Sequence, residues 1–270
     1  MPIPKLIHYC WYGNGPKPDC FEKCLASWKH YAPDYEIIEW NESNTDLHHN
    51  AFMEQAYAAK KYAFVSDVAR LRIILEHGGV YMDTDVELKS PLDELIGHEA
   101  FFFFGHDNHI ATGFGFGAAP GNRLVAKMLE DYDHAGFSQE QMKQLSCPIL
   151  NTCSIQNAMP DFRAENRTQI IDGHVFLSSY DYKSFGLHYY AYSWMSAEDR
   201  DAMKYVKKRR RFFKLRRFLR SAKLFDFFHR HDLKKLDHLY RLLVYDILDM
   251  GVPYYIYKLY RKIKRQFFNR

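Results

Sequence analysis

Two aspartates one residue apart, Asp83 and Asp85, follow directly on the apolar run Val80-Tyr81-Met82. That run reads as a short buried strand, and ligands collect at strand ends in α/β sheets. Two carboxylates so close repel each other unless a cation lies between them. Oxygen ligands of this kind suit Mg2+ or Mn2+. Such an ion can also bridge a diphosphate and neutralise its charge as it departs. Alone, a D-x-D pair is a weak signal and reads more readily as a polar turn. Asp67 and Arg70 stand at i and i+3 just upstream, so they share one helix face. An arginine there can give a diphosphate two parallel hydrogen bonds, although the same pair can be an intrahelical ion pair of little weight.

The elements around these groups alternate. Residues 5–11 read as a buried strand ended by Gly13-Asn14-Gly15-Pro16. Asp19 is expected to cap a helix running to about Tyr31, with Pro33 as its stop. Residues 35–40 predict a second strand, and residues 50–60 a helix. Residues 66–77 predict a further helix, closed by Gly78-Gly79 as a left-handed C-cap. Strands are expected at 100–104, 114–118, 170–171 and 175–177, and a helix at 124–132. This alternation predicts an α/β sandwich. No internal repeat is visible.

The run Phe64-Val65-Ser66-Asp67-Val68-Ala69-Arg70-Leu71-Arg72, then Gly78-Gly79-Val80-Tyr81-Met82-Asp83-Thr84-Asp85, resembles the DXD sugar-transferase family. That family includes capsular-polysaccharide transferases, the yeast α-1,6-mannosyltransferase that starts outer chains, and the catalytic domain of the large glucosylating toxins. The opening Ile3-Pro4-Lys5-Leu6-Ile7-His8-Tyr9-Cys10-Trp11-Tyr12-Gly13, Pro33-Asp34-Tyr35-Glu36-Ile37 and the late His188-Tyr189-Tyr190-Ala191-Tyr192-Ser193-Trp194 resemble it too. The likeness spans roughly residues 3–195.

The resemblance implies a GT-A-type fold with a Rossmann-like mixed sheet. It also implies a retaining, metal-dependent transfer of a hexose from a nucleotide-sugar, with Mn2+ or Mg2+ as cofactor. Trp11 would stack on the base, which favours uridine. Asp67 and Arg70 would hold the donor sugar and diphosphate. Asp83 would touch ribose and metal, Asp85 would ligate the metal, and Ser193 and Trp194 would close over the diphosphate. His188 is a candidate third metal ligand; the family often carries His-His where this chain has His188-Tyr189. Asp107 and Asn108, in the polar stretch 105–113, are candidates to orient donor or acceptor, with a plain loop as the alternative. No second carboxylate for a covalent glycosyl-enzyme is evident, so a front-face transfer is expected, with the leaving phosphate accepting the acceptor's proton.

Charge divides the chain. Of 37 Lys+Arg and 33 Asp+Glu, residues 204–270 hold 21 and 5, which leaves 16 and 28 for residues 1–203. An acidic catalytic body, 1–203, is thus expected to carry a basic, α-helical extension, 204–270. Its Lys207-Lys208-Arg209-Arg210-Arg211 and Arg216-Arg217 are interleaved with Phe and Leu at helical spacing. That pattern suits an interfacial helix on anionic lipid better than a nucleic-acid arm. Packing of these helices onto the acidic body is a compatible alternative. The chain start lacks a basic-then-apolar leader, and no window offers about 20 apolar residues. Five cysteines without CxxC spacing argue against a disulfide framework or structural zinc. The expectation is a cytoplasmic enzyme, peripheral on the inner face of the membrane, with a glycan or lipid-linked acceptor and no nucleic acid. A metal-dependent phosphohydrolase and a non-catalytic membrane adaptor are the competing readings. The full chain is expected to sediment with anionic vesicles while a 1–203 truncation does not; equal partitioning of the two refutes membrane binding through the tail.

Overall fold

The computed structural model describes residues 2–138 and 146–191. The helical extension expected over 204–270, and the boundary at 203, lie outside the described residues. Seven strands form one mixed sheet in the order β2-β1-β3-β6-β5-β8-β7. They are β1 (Leu6–Cys10), β2 (Glu36–Trp40), β3 (Gly79–Tyr81), β5 (Ala100–Phe103), β6 (Phe116–Ala118), β7 (Gln169–Ile171) and β8 (His174–Leu177). β1 pairs parallel with β2 and β3, and β5 pairs parallel with β8, while β6 and β7 run antiparallel to their neighbours. β4 (Val86–Leu88) and β9 (Gly186–His188) make a separate two-stranded ribbon. This is the expected mixed α/β arrangement.

Period-2 alternation assigns each strand residue to one of two cores. Ile7, Tyr9, Val80, Met82, Phe101 and Phe103 face helix α1 (Phe21–Tyr31), where Trp28 is fully buried. Tyr81, Phe102, Phe104 and Phe176 face the other way. Their partners come from α2 (Ala51–Ala58), α3 (Tyr62–His77), α4 (Arg123–His134) and α5 (Cys147–Ala158). Phe102 stacks between Phe116 at 5.8 Å and Phe176 at 5.5 Å, so one aromatic row ties three adjacent strands. Full burial of each such ring contributes about 1.5–3 kcal/mol.

Local starts differ in part from expectation. Asn50 caps α2, its side chain accepting the Met53 N–H at 2.8 Å. Asp19 caps nothing: α1 begins after Cys20, with no side-chain cap and the Phe21 N–H on the Pro18 carbonyl. α3 starts at Tyr62 rather than 66, because burial of Phe64 and Val65 recruits the extra turn without a cap. β4, β9 and α5 were not foreseen.

One buried contact fixes the strand that ends at Asp83. The α3 C-terminus turns through Gly78 and Gly79, with φ of 67° and 98°. A Cβ on Gly79 would lie 2.9 Å from the Leu6 carbonyl oxygen and 3.0 Å from His8 Nε2, so only glycine lets β3 lie this close to β1. The indole N–H of Trp40 can only donate, so His8 Nδ1 accepts it at 3.1 Å and His8 Nε2 donates to the Gly78 carbonyl at 3.0 Å. Burial pushes the imidazole down from 6.5 to about 4, only partly offset by the Gly78 bond. Between these values the unfolded chain binds a proton that the folded one does not. Stability therefore falls as pH drops from 6.5 towards 4. Urea unfolding should lose on the order of 2 kcal/mol between pH 7 and 5 from this group. His8→Gln should remove that increment; an identical pH slope in the variant refutes it.

Candidate active site

Asp83 and Asp85 follow β3 at the carboxyl edge of the sheet. The α3 face supplies the first counter-charge. Arg70 is buried, and its Nη2 lies 3.0 Å from Asp67 Oδ1 and 3.4 Å from Asp83 Oδ1. Its Nε donates to the Ser66 carbonyl at 3.0 Å, and its guanidinium stacks over the Tyr81 ring at 4.7 Å. Tyr81 also donates its hydroxyl to Asp83 Oδ1 at 2.9 Å. The Asp67–Arg70 pair is therefore both the expected intrahelical ion pair and part of the site, since the same guanidinium reaches Asp83. Removing it would strand two carboxylates in a poorly solvated place.

The second polar partner comes from far along the chain. β9 pairs with β4 in the register Val86↔His188, which sets His188 Nε2 3.1 Å from Asp85 Oδ1. The Ala191 N–H donates to Asp85 Oδ2 at 2.7 Å, and the Tyr189 N–H to the Asp85 carbonyl at 2.9 Å. The His188 ring packs against Phe114 and Tyr190 at 4.9 and 4.3 Å between centroids. Ligand atoms of Asp83, Asp85 and His188 all lie within 4.8 Å of one another. With oxygen and imidazole contacts of about 2.1 Å, small side-chain shifts close that spread around one divalent ion. The donor set, two carboxylates and an imidazole, fits Mn2+ or Mg2+.

The two aspartates are driven apart in acidity. Burial raises Asp83 above the usual carboxylate range, and the Asp85 charge adds to this, while Arg70 and His188 restrain it. Burial alone would raise Asp85 as well, but the His188 contact and the Ala191 N–H outweigh it and hold Asp85 low. Burial lifts Asp67 to about 6 against the pull of Arg70. The Asp83 side chain keeps 30% of its surface exposed, so it stays open to a ligand.

Of the other expected residues, Trp11 continues β1 at the same sheet edge. Its N–H bonds to the Trp40 carbonyl at 2.8 Å, and its indole donates to the Gly15 carbonyl at 2.8 Å. Asp107 and Asn108 sit in the loop after β5. Asp107 lies 3.3 Å from His109, and Asn108 Oδ1 accepts the Asn166 N–H at 3.0 Å. Asp107 contacts its own loop and Asn108 the segment before β7, and in the described contacts neither joins the Asp83–Asp85 cluster. Ser193 and Trp194 lie outside the described residues.

Sequence reasoning missed the support behind the cluster. Cys147, Asn151 and Thr152 of α5 are all buried. Asn151 donates to the Thr112 hydroxyl at 3.1 Å, Thr112 donates to Cys147 Sγ at 3.6 Å, and Thr152 accepts the Ile110 N–H at 2.8 Å. These bonds hold the strand of loop that ends in Gly113. The signal was the polar pair Asn151-Thr152 within an otherwise helix-compatible run, and it names no ligand by itself.

Residues 18–102 match the model of a protein family described as the glycosyltransferase sugar-binding region containing the DXD motif. The matched segment includes Asp67, Arg70, Asp83 and Asp85, whereas Trp11 and His188 fall outside it. Two Schizosaccharomyces pombe proteins are similar over part of the chain. Inositol phosphoceramide mannosyltransferase 1 is 31% identical over 110 residues, covering 37% of this chain and 33% of the relative. Inositol phosphoceramide mannosyltransferase 3 is 32% identical over 106 residues, covering 37% and 29%. The chain thus spans about a third of the length of the curated relatives it matches. Among solved structures, PaToxG glycosyltransferase aligns with a TM-score of 0.49 at 18% identity, covering 59% of this chain and 71% of that one. A glycosyltransferase involved in glycosylating the major capsid of PBCV-1 aligns with a TM-score of 0.41 at 13% identity, covering 74% and 99%.

Gly113 gives a site-specific test. A Cβ there would sit 2.4 Å from Asp83 Oδ2 and 3.3 Å from Arg70 Nη1, both movable side-chain ends. Gly113→Ala should therefore displace the carboxylate more than the backbone. Mn2+ affinity should fall about tenfold, as for outer-shell changes at metal sites, with unfolding free energy altered by less than about 1 kcal/mol. Calorimetric Mn2+ titration and urea unfolding together check this; unchanged affinity refutes it.

Proposed function

We propose that this protein is a glycosyltransferase that moves a hexose from a nucleotide-sugar to a glycan acceptor, with Asp83, Asp85 and His188 holding a divalent ion, Mn2+ first. The convergence of those three ligand atoms within 4.8 Å carries the reading. When bound, the ion neutralises the charge that develops on the leaving diphosphate. Arg70 fixes Asp83 through the 3.4 Å contact and aligns Asp67 on the same face. The His188 Nε2 contact at 3.1 Å and the Ala191 N–H at 2.7 Å orient the Asp85 carboxylate. Trp11 offers an indole at the same edge for a nucleobase, and uridine is the favoured base. A front-face, retaining transfer accords with the ion-paired state of Asp67, which leaves it poorly placed to act as a nucleophile.

The acceptor in this reading is lipid-linked. The basic segment 204–270 supports it through the anionic surface it would seek, on the inner face of the membrane. The two S. pombe relatives, named for inositol phosphoceramide and mannose, support it too. Incubation with Mn2+ and a donor panel (UDP-glucose, UDP-galactose, their N-acetyl forms and GDP-mannose) should release nucleoside diphosphate from one donor. Asp85→Asn should cut that rate at least about 100-fold. Phosphate release from a phosphomonoester with no donor turnover would favour a phosphohydrolase, and donor turnover indifferent to Asp85→Asn would refute the site.

A further inference from the structure

The ribbon that delivers His188 is tied down by a second polar group on its other side. Glu87 lies between Val86 and Leu88 in β4, and its side chain is only 9% exposed. Three donors converge on it. Lys23 Nζ of α1 reaches Oε2 at 2.9 Å, the Tyr189 hydroxyl donates to the same oxygen, and Lys89 Nζ reaches Oε1 at 2.5 Å. Lys23 also donates to the Tyr189 hydroxyl at 2.6 Å and lies 5.3 Å over its ring. Helix α1 adds two bonds to the same strand: Trp28 Nε1 donates to the Val86 carbonyl at 2.8 Å, and Ser27 Oγ accepts the Leu88 N–H at 2.9 Å.

Tyr189 is thereby held at both ends. Its backbone N–H is on the Asp85 carbonyl, and its hydroxyl is on Glu87. His188 is its immediate neighbour, so anchoring Tyr189 at both ends fixes the backbone from which the His188 ring reaches Asp85. We propose that Glu87, Tyr189 and Lys23 form a clasp that sets His188 Nε2 against Asp85, which makes them positioning residues for the cation site. This rests on the reading that Asp83, Asp85 and His188 hold a divalent ion. It also gives Tyr189 a task at the place where the resembling family often has a second histidine: a phenol reaches the buried carboxylate and the α1 lysine together.

The test uses the full chain and the variants Tyr189→Phe, Glu87→Gln and Lys23→Met, the last at a side chain 62% exposed and so safe for folding. Two readouts apply to each: the Mn2+ dissociation constant by calorimetry with the metal alone, and the His188 ring 15N resonances in metal-free protein at fixed pH. Asp85→Asn serves to assign the His188 signal. The clasp predicts a weakening of Mn2+ binding of about tenfold in Tyr189→Phe and Glu87→Gln, a smaller one in Lys23→Met, and displaced His188 resonances in all three. Lower melting temperatures with unchanged Mn2+ affinity and unchanged His188 resonances would overturn it, since a merely structural network moves stability alone. Should the wild type take up no Mn2+, the cation reading fails, and the His188 resonances alone decide the clasp: displaced signals uphold it and static ones end it.

Discussion

Negative charge gathered at the end of β3 is the constraint on which the rest of the structure depends. Asp83 and Asp85 emerge together from a buried strand, and Asp67 sits buried beside them. Two like charges about 4 Å apart cost on the order of 4 kcal/mol near a protein surface. The fold meets this with one guanidinium and one imidazole, each fixed by different elements. Arg70 is the local answer, presented by α3 only a few residues before the strand. His188 is the distant one, presented by β9. Arg70 brings one positive charge to three carboxylates, and the proposed cation would supply more.

Much of the scaffold serves to hold that cluster still. His8 bridges Trp40 of β2 and the Gly78 turn, so the first three parallel strands share one buried imidazole. Gly79 lets β3 lie against β1, and the aromatic row through Phe102 extends the sheet toward β8. Behind the site, Asn151 and Thr152 of α5 use their polar atoms on Thr112 and Ile110, which keeps Gly113 tucked under Asp83. The Asn151 amide nitrogen and the Thr112 and Thr152 hydroxyls are paired there, while Asn151 Oδ1 has no hydrogen-bond partner among the described residues.

What the amino-acid order revealed follows from the range of the interactions. The strands of the large sheet were legible because alternate residues enter two apolar cores. Asp67, Arg70, Asp83 and Asp85 were legible because helix spacing and a strand end are local. β4 and β9 were not, being three residues each and paired only with one another. α5 escaped notice because its buried face is partly polar, Asn151-Thr152 and Ser154, so no apolar stripe marks it. The Asp19 cap failed because Pro18 offers a backbone carbonyl that closes the first turn without it. His188 came into view only through the resemblance, since no spacing rule joins residues so far apart. The same distance hides the tie between Glu87 and Tyr189.

The pairing of Val86 with His188 closes a loop of about a hundred residues. A contact of such separation carries a loop-closure cost that local contacts do not. The two carboxylates reach the site on neighbouring residues, whereas the imidazole is brought from a distant segment. An ion that took all three ligands would favour the closed ribbon by mass action. In the proposed reading the cation would act as a clamp, tying the start of β4 to a segment about a hundred residues away.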